Sequence, residues 1–158
     1  MNPPNASRDD RLIVTAALTT RVVRVARGRD AAIELVDEIL SMDHRDRETS
    51  LSIGDVEFYQ SKTGGPFPNH QFRLSVRPSS AVGACNYIDN LDLIMPVAYS
   101  WNPDKSWPDV DLILNGSTGA VFPPWSVISI DDVCRSLLEW LDTQKRPTCI
   151  QWRPSELW

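Results

Sequence analysis

The sequence predicts an α+β fold: a mostly antiparallel sheet with a helix near the N-terminus and a long amphipathic helix before a short C-terminal strand. Three observations carry this expectation. In "HQFRLSVRP", Phe72, Leu74 and Val76 alternate with Gln71, Arg73, Ser75 and Arg77, the period of two of a half-buried strand. Near the end, Ile130, Val133, Cys134, Leu137, Leu138 and Leu141 recur at i, i+3, i+4, i+7, i+8 and i+11, which is one face of a helix. Most of the strand signals follow one another without a helical pattern between them, so hairpins are favoured over alternating βαβ units.

In order along the chain, residues 1–10 are polar with two prolines and read as a flexible tail, leaving 11–158 as a single domain. "RLIVTAAL" is β-branched enough for a strand, and "TRVVRVAR" continues or returns it. Asp30 reads as an N-cap, and Ala32, Ile33, Val36, Ile39 and Leu40 share a face, so a helix is expected up to about Ser41. "MDHRDRETS" is then a charged connector. "LSIGDVEFYQ" has strand character broken by Gly54, and "SKTGGPFPN" is a loop.

The strand at 70–77 turns at Pro78, Ser79 and Ser80, and "AVGACNYID" returns as its antiparallel partner. "DLIMPVAYSW" and "DVDLILNG" read as two more strands around the loop "NPDKSWP", with Pro96 suggesting an edge or a bulge. Ser129, with Asp132 three residues on, is a capping-box-like start for the last helix. Pro147 stops the helical region, because a residue before proline is pushed out of the α conformation. "TCIQW" follows as a short strand.

With 158 residues, 42% apolar and 23% charged, the chain can bury an ordinary core without disulfides. No apolar run approaches the roughly 18 residues of a membrane span, and the opening lacks a secretory layout, so a cytoplasmic protein is expected. Cys85, Cys134 and Cys149 are odd in number and never form a CxxC pair, which fits plain thiols in a reducing compartment.

The net charge of −5 disfavours direct binding to nucleic acid and makes a basic protein the better electrostatic match. Asp89, Asp92, Asp104, Asp109 and Asp111 face only Lys105 over the later middle of the chain. Trp101 and Trp107 fall among them, and tryptophan outside the obvious core is enriched at interfaces. Trp140 lies roughly 80° off the apolar stripe of its helix and reads as another such residue, with a satellite core under the loops as the competing explanation. The expected partner-binding residues are therefore Asp89, Asp92, Trp101, Asp104, Trp107, Asp109 and Asp111.

For catalysis, the candidate is Cys149 with His44 or His70, since a nucleophilic thiol needs a base or a positive neighbour. Against it, Cys149 is expected inside a short strand, where a buried inert thiol is the common outcome. The histidines have no partner at metal-ligand spacing, Gly64 and Gly65 read as loop geometry, and no glycine-rich phosphate cradle is present. No cofactor and no metal are expected.

The amphipathic helix followed by "TQKRPTCIQW", with Arg146, Pro147 and Trp152, resembles the C-terminal signature of a bacterial immunity-protein family. It is the first in the series of immunity families of polymorphic toxin systems, which includes inhibitors of deaminase toxins. "FPNHQFRLSVRPSSAVGACNYIDN" resembles that family's middle hairpin through Pro68, His70, Gly83, Tyr87 and Asp89. The likeness covers 66–90 and 126–152, and the helix at 30–41 extends it. It implies a non-catalytic α+β protein, held in the producing cell's cytoplasm, that occludes the active site of a cognate toxin domain acting on nucleic acid, such as a cytosine deaminase. It gives Arg146, Pro147 and Trp152 a structural role. A cysteine enzyme built on Cys149 and a generic acidic adaptor stand as the alternatives.

Overall fold

The computed structural model describes residues 11–58, 68–104, 106 and 108–155. The tail at 1–10 and the paired glycines Gly64 and Gly65 lie outside them. Ten strands and two α-helices are described: β1 (Ile13–Ala17), β2 (Val23–Arg27), α1 (Arg29–Leu40), β3 (Thr49–Gly54), β4 (His70–Arg77), β5 (Val82–Asp89), β6 (Val97–Ser100), β7 (Ile113–Asn115), β8 (Ala120–Val121), β9 (Ile128–Ser129), α2 (Ile130–Thr143) and β10 (Trp152–Pro154).

The main sheet runs β10-β6-β5-β4-β3-β1-β2, with β9 alongside the start of β5, and every pairing is antiparallel. The fold class is the α+β arrangement that the sequence predicts. Its centre is the β4–β5 hairpin, in register from His70↔Asp89 to Arg77↔Val82. The turn holds a 3-10 stretch at Pro78–Ser80 and Ala81 in the left-handed region.

Because directly paired residues share a sheet face, Val14, Ala16, Leu51, Ile53, Phe72, Leu74, Val76, Cys85 and Tyr87 lie on one side, and both helices bury their apolar faces among them. Arg29 donates twice to the Asp142 carboxylate and ties α1 to α2. Gly83 lets α2 come close: a Cβ there would sit 2.7 Å from a Val76 methyl and 2.9 Å from a Val133 methyl. The opposite face carries a smaller core in which Ala84 and Tyr99 meet Leu112, Leu114, Phe122 and Val127 under the β7–β8 hairpin.

Local departures from the sequence expectation have physical causes. Helix α1 is capped by Gly28 at φ 86 with no side-chain cap, and Asp30 sits in the first turn, where a carboxylate favours the helix dipole. Helix α2 starts as expected, Ser129 accepting from the Asp132 amide. Its buried face is rotated, however: Val133, Ser136, Leu137, Trp140 and Leu141 point inward, and Cys134 is only half-buried. Ser136 turns its hydroxyl back to the Asp132 carbonyl, so a small residue faces the sheet there. The indole of Trp140, one turn on, is wholly buried.

The connector at 41–48 is anchored rather than loose. His44 is buried, its amide donates to the Val76 carbonyl, and both ring nitrogens are engaged. Nδ1–H donates to the Met42 carbonyl at 2.8 Å, and Nε2 accepts from the Thr49 hydroxyl at 2.7 Å.

Candidate functional site

The site is built where the end of the β4–β5 hairpin meets the segment after α2. "DLIMPVAYSW" is not a continuous strand: β6 begins only at Val97, and 90–96 form the loop from β5. Asp89 and Asp92 make that loop. Asp89 Oδ1 accepts from the Leu91 amide at 2.9 Å, and Asp92 Oδ1 accepts from the amides of Ile94 and Met95, each at 3.0 Å. Such side-chain acceptors offer the backbone an alternative to a ladder, and Pro96 has no amide to give one. Leu91, Leu93 and Ile94 consequently project into solvent, at 71%, 95% and 95% exposure.

Arg146 reaches this loop from the far side. Its Nη1 donates to Asp92 Oδ2 at 2.9 Å and to the Met95 carbonyl at 3.2 Å. The Met95 and Ile94 amides, with the Arg146 guanidinium adding to them, hold the Asp92 carboxyl below the usual carboxylate range. Pro147 is buried, and its carbonyl accepts from the Trp152 indole N–H at 2.7 Å. Glu139 of α2 accepts from both the amide and the hydroxyl of Thr148. Arg146, Pro147 and Trp152 thus fasten the C-terminal segment to helix and loop together.

Behind them lies an aromatic cluster. The Phe72 ring is 5.4 Å from Trp140, 5.9 Å from Tyr87 and 6.4 Å from Trp152, and His70 stacks on Tyr87. Burial pushes the Tyr87 phenol up to about 12 and lowers the pKa of His70. Trp140 is therefore a core residue, contrary to the exposed role its helical angle suggests.

Two grooves flank the segment after Pro147. One is lined by Asp89, Asp92, Lys145, Arg146 and Trp152 among others, and the second by Trp101, Asp104, Asp132 and Cys149 among others. Thr148 and Ile150 line both, so the grooves adjoin. The first mixes charges. The second has two carboxylates in its lining, of which Asp132 pairs with Arg135, and its Trp101–Asp104 wall is held by bonds from the Trp101 amide to the Gln151 carbonyl and from Asn102 to Trp125 and Val127.

The structure therefore gathers Asp89, Asp92, Trp101, Asp104, Arg146, Pro147 and Trp152 around one segment. Asp109 and Asp111 are exposed elsewhere, beside β7, where the Asp111 carbonyl accepts from Arg77. Trp107 lies outside the described residues. The loop residues Leu93 and Ile94 escape sequence reasoning because their apolar run imitates a strand; Asp89, Asp92 and Pro96 around it were the available signal.

Cys149 is not in a strand, which begins only at Trp152, and it is half-buried in the second groove. Its thiol lies 3.8 Å from the Ser136 hydroxyl. His44 has no ring nitrogen left for a thiol, and His70 packs against Tyr87 and Trp140. No histidine–cysteine pair forms among the described residues. Burial raises the pKa of Cys85 and Cys134, the reverse of what a nucleophile requires.

The model of the immunity protein family Imm1 matches residues 22–154. The chain belongs to the Imm1 family. No curated protein sequence matches it. The Imm1 match runs from just before β2 through β10, so it takes in the β4–β5 hairpin, the β5–β6 loop, α2 and the Arg146–Trp152 segment. An Imm1 protein acts in immunity against a toxin, and its partner is that toxin. Among the described residues, no helix is long and apolar enough to cross a membrane.

Proposed function

We propose that this Imm1 protein neutralises its toxin by binding over the toxin's active site in the cytoplasm of the producing cell, without catalysis of its own. The toxin is one that acts on nucleic acid, of the cytosine deaminase kind. The observation that carries this reading is the second groove, where Trp101 stands beside the exposed Asp104 on a chain of net charge −5, Asp132 being paired with Arg135. An enzyme that handles phosphate chains needs a basic cleft, and an acidic surface with an aromatic anchor is its complement. Asp109 and Asp111, beside β7 and apart from the groove, add negative charge that speeds encounter by long-range attraction.

The test is co-expression with the toxin encoded beside this chain: cells should survive with the protein and die without it, and death in both cases rejects the reading. Replacing Asp104, Asp109 and Asp111 together by Asn should weaken the complex and flatten its dependence on salt. Binding and salt dependence identical to those of the unsubstituted protein would move the surface elsewhere.

A further inference from the structure

The β5–β6 loop spends its carboxylates inward and its apolar side chains outward, an inversion of the usual arrangement for a surface turn. Both oxygens of Asp92 and one of Asp89 are engaged by the loop's own amides and Arg146. What faces solvent is Leu91, Leu93 and Ile94, the last two almost as open as in an extended chain. Three such side chains carry on the order of 300 Å² of apolar surface, the size at which a patch on a monomer is often functional. The loop is also held in shape before any partner arrives, so little ordering cost remains to be met on binding.

We propose that this loop is a preformed apolar plug that enters a hydrophobic recess on the toxin domain, with Arg146 and Asp92 setting its shape. The proposal rests on the reading of a toxin partner given above and adds the part of the surface that fixes residence time. A convex apolar tip calls for a concave apolar complement, and the partner that an Imm1 protein is made to meet is its toxin. On this chain the loop is flanked by a groove that mixes Asp89, Asp92, Lys145 and Arg146 with Met95, Pro147, Ile150 and Trp152, and by an adjoining one that carries Asp104 and Asp132. Thr148 and Ile150 line both grooves, which makes plug and acidic groove neighbouring parts of one surface. A toxin with an apolar recess beside a basic cleft satisfies both at once. In that division the carboxylates govern encounter and salt dependence, and Leu93 and Ile94 govern release.

The experiment is calorimetric titration of the purified, inactivated toxin domain from the neighbouring gene into the unsubstituted protein and into the Leu93→Ser/Ile94→Ser double variant. The expected result is a loss of about 100-fold in affinity, a faster dissociation rate, an unchanged salt slope and an unchanged unfolding midpoint. Equal affinity of the two proteins overturns the plug and leaves the toxin reading standing. Absence of binding by the unsubstituted protein overturns the toxin reading, and the plug with it. If sedimentation shows the unsubstituted protein as a dimer and the variant as a monomer with full toxin affinity, the loop covers a second copy, and the proposal fails.

Discussion

Strand β5 ends in two apolar groups of opposite fate. Tyr87 lies in the sheet at 1% exposure beneath Trp140 and Trp152, and six residues on, Leu93 stands at 95% exposure at the tip of a turn. Their apolar character does not separate them; their backbone surroundings do. Around Tyr87 the chain is paired on both sides, to Phe72 and to Ala98, and its side chain is delivered to the face that α2 covers. Around Leu93 the amides are taken by Asp89 and Asp92, no ladder forms, and no helix overlies the turn. Burial follows the hydrogen-bonding pattern as much as it follows hydrophobicity, and one strand can feed both the core and an exposed apolar turn.

Replacement sharpens the contrast most strongly at the buried end. Trp140→Ala should cost about 3–5 kcal/mol in urea unfolding, whereas Leu93→Ala should stay within about 0.5 kcal/mol. Trp140→Phe should recover much of the loss, because an aromatic ring at that position keeps most of the packing against Phe72 and His70. Equal costs at Trp140 and Leu93 would break the division drawn here.

A step smaller is Gly83→Ala, expected at about 1–3 kcal/mol, since its methyl would press on Val76 and Val133 where α2 meets the sheet. Toxin affinity should be unaffected by it once the folded fraction is allowed for. A variant as stable as the unsubstituted protein would show that α2 can lift off the hairpin at no cost.

The smallest expected change is with acidity, and it too belongs to the buried side. Desolvation by burial holds the pKa of both His44 and His70 below the ordinary 6.5. The unfolded chain therefore takes up protons at these positions first as pH falls. Their contribution to stability is complete above 6.5 and is lost progressively below it, down to the lower folded-state values. Melting temperature should fall between pH 7.5 and 5.5, and His44→Gln should flatten that fall while lowering the whole curve. A profile with the same slope in His44→Gln would remove His44 from the account.

Much of this was readable in the chain. The alternation of Phe72, Leu74 and Val76, the helical repeat through Leu137 and Leu141, and the Ser129 cap each report a local periodicity, and tertiary structure kept them. Three features were not readable, because each depends on what lies across the fold. The face of α2 that turns inward is chosen by the space over Phe72, which admits Trp140 and leaves Cys134 at the margin. His44 looks like part of a charged connector until Thr49 and Val76 are brought to it. The run from Leu93 to Val97 has strand composition, and only the inward use of the Asp92 carboxylate, completed by Arg146 from far along the chain, keeps Leu93 to Pro96 in a loop and delays the strand to Val97. In the candidate site, the acidic and aromatic residues of 89–104 converge as a group, while Asp109 and Asp111 are carried away with β7.

The fastening of the β5–β6 loop by Arg146 also has a bearing on synthesis. The loop leaves the ribosome some fifty residues before the arginine that braces it, and the wall of the adjoining groove waits for Thr148 to Gln151. At translation speeds of about 5–20 residues per second, the central hairpin is out for several seconds with the loop unbraced. A transcript cut short before Arg146 therefore yields a chain with the central hairpin but neither the braced loop nor the complete groove.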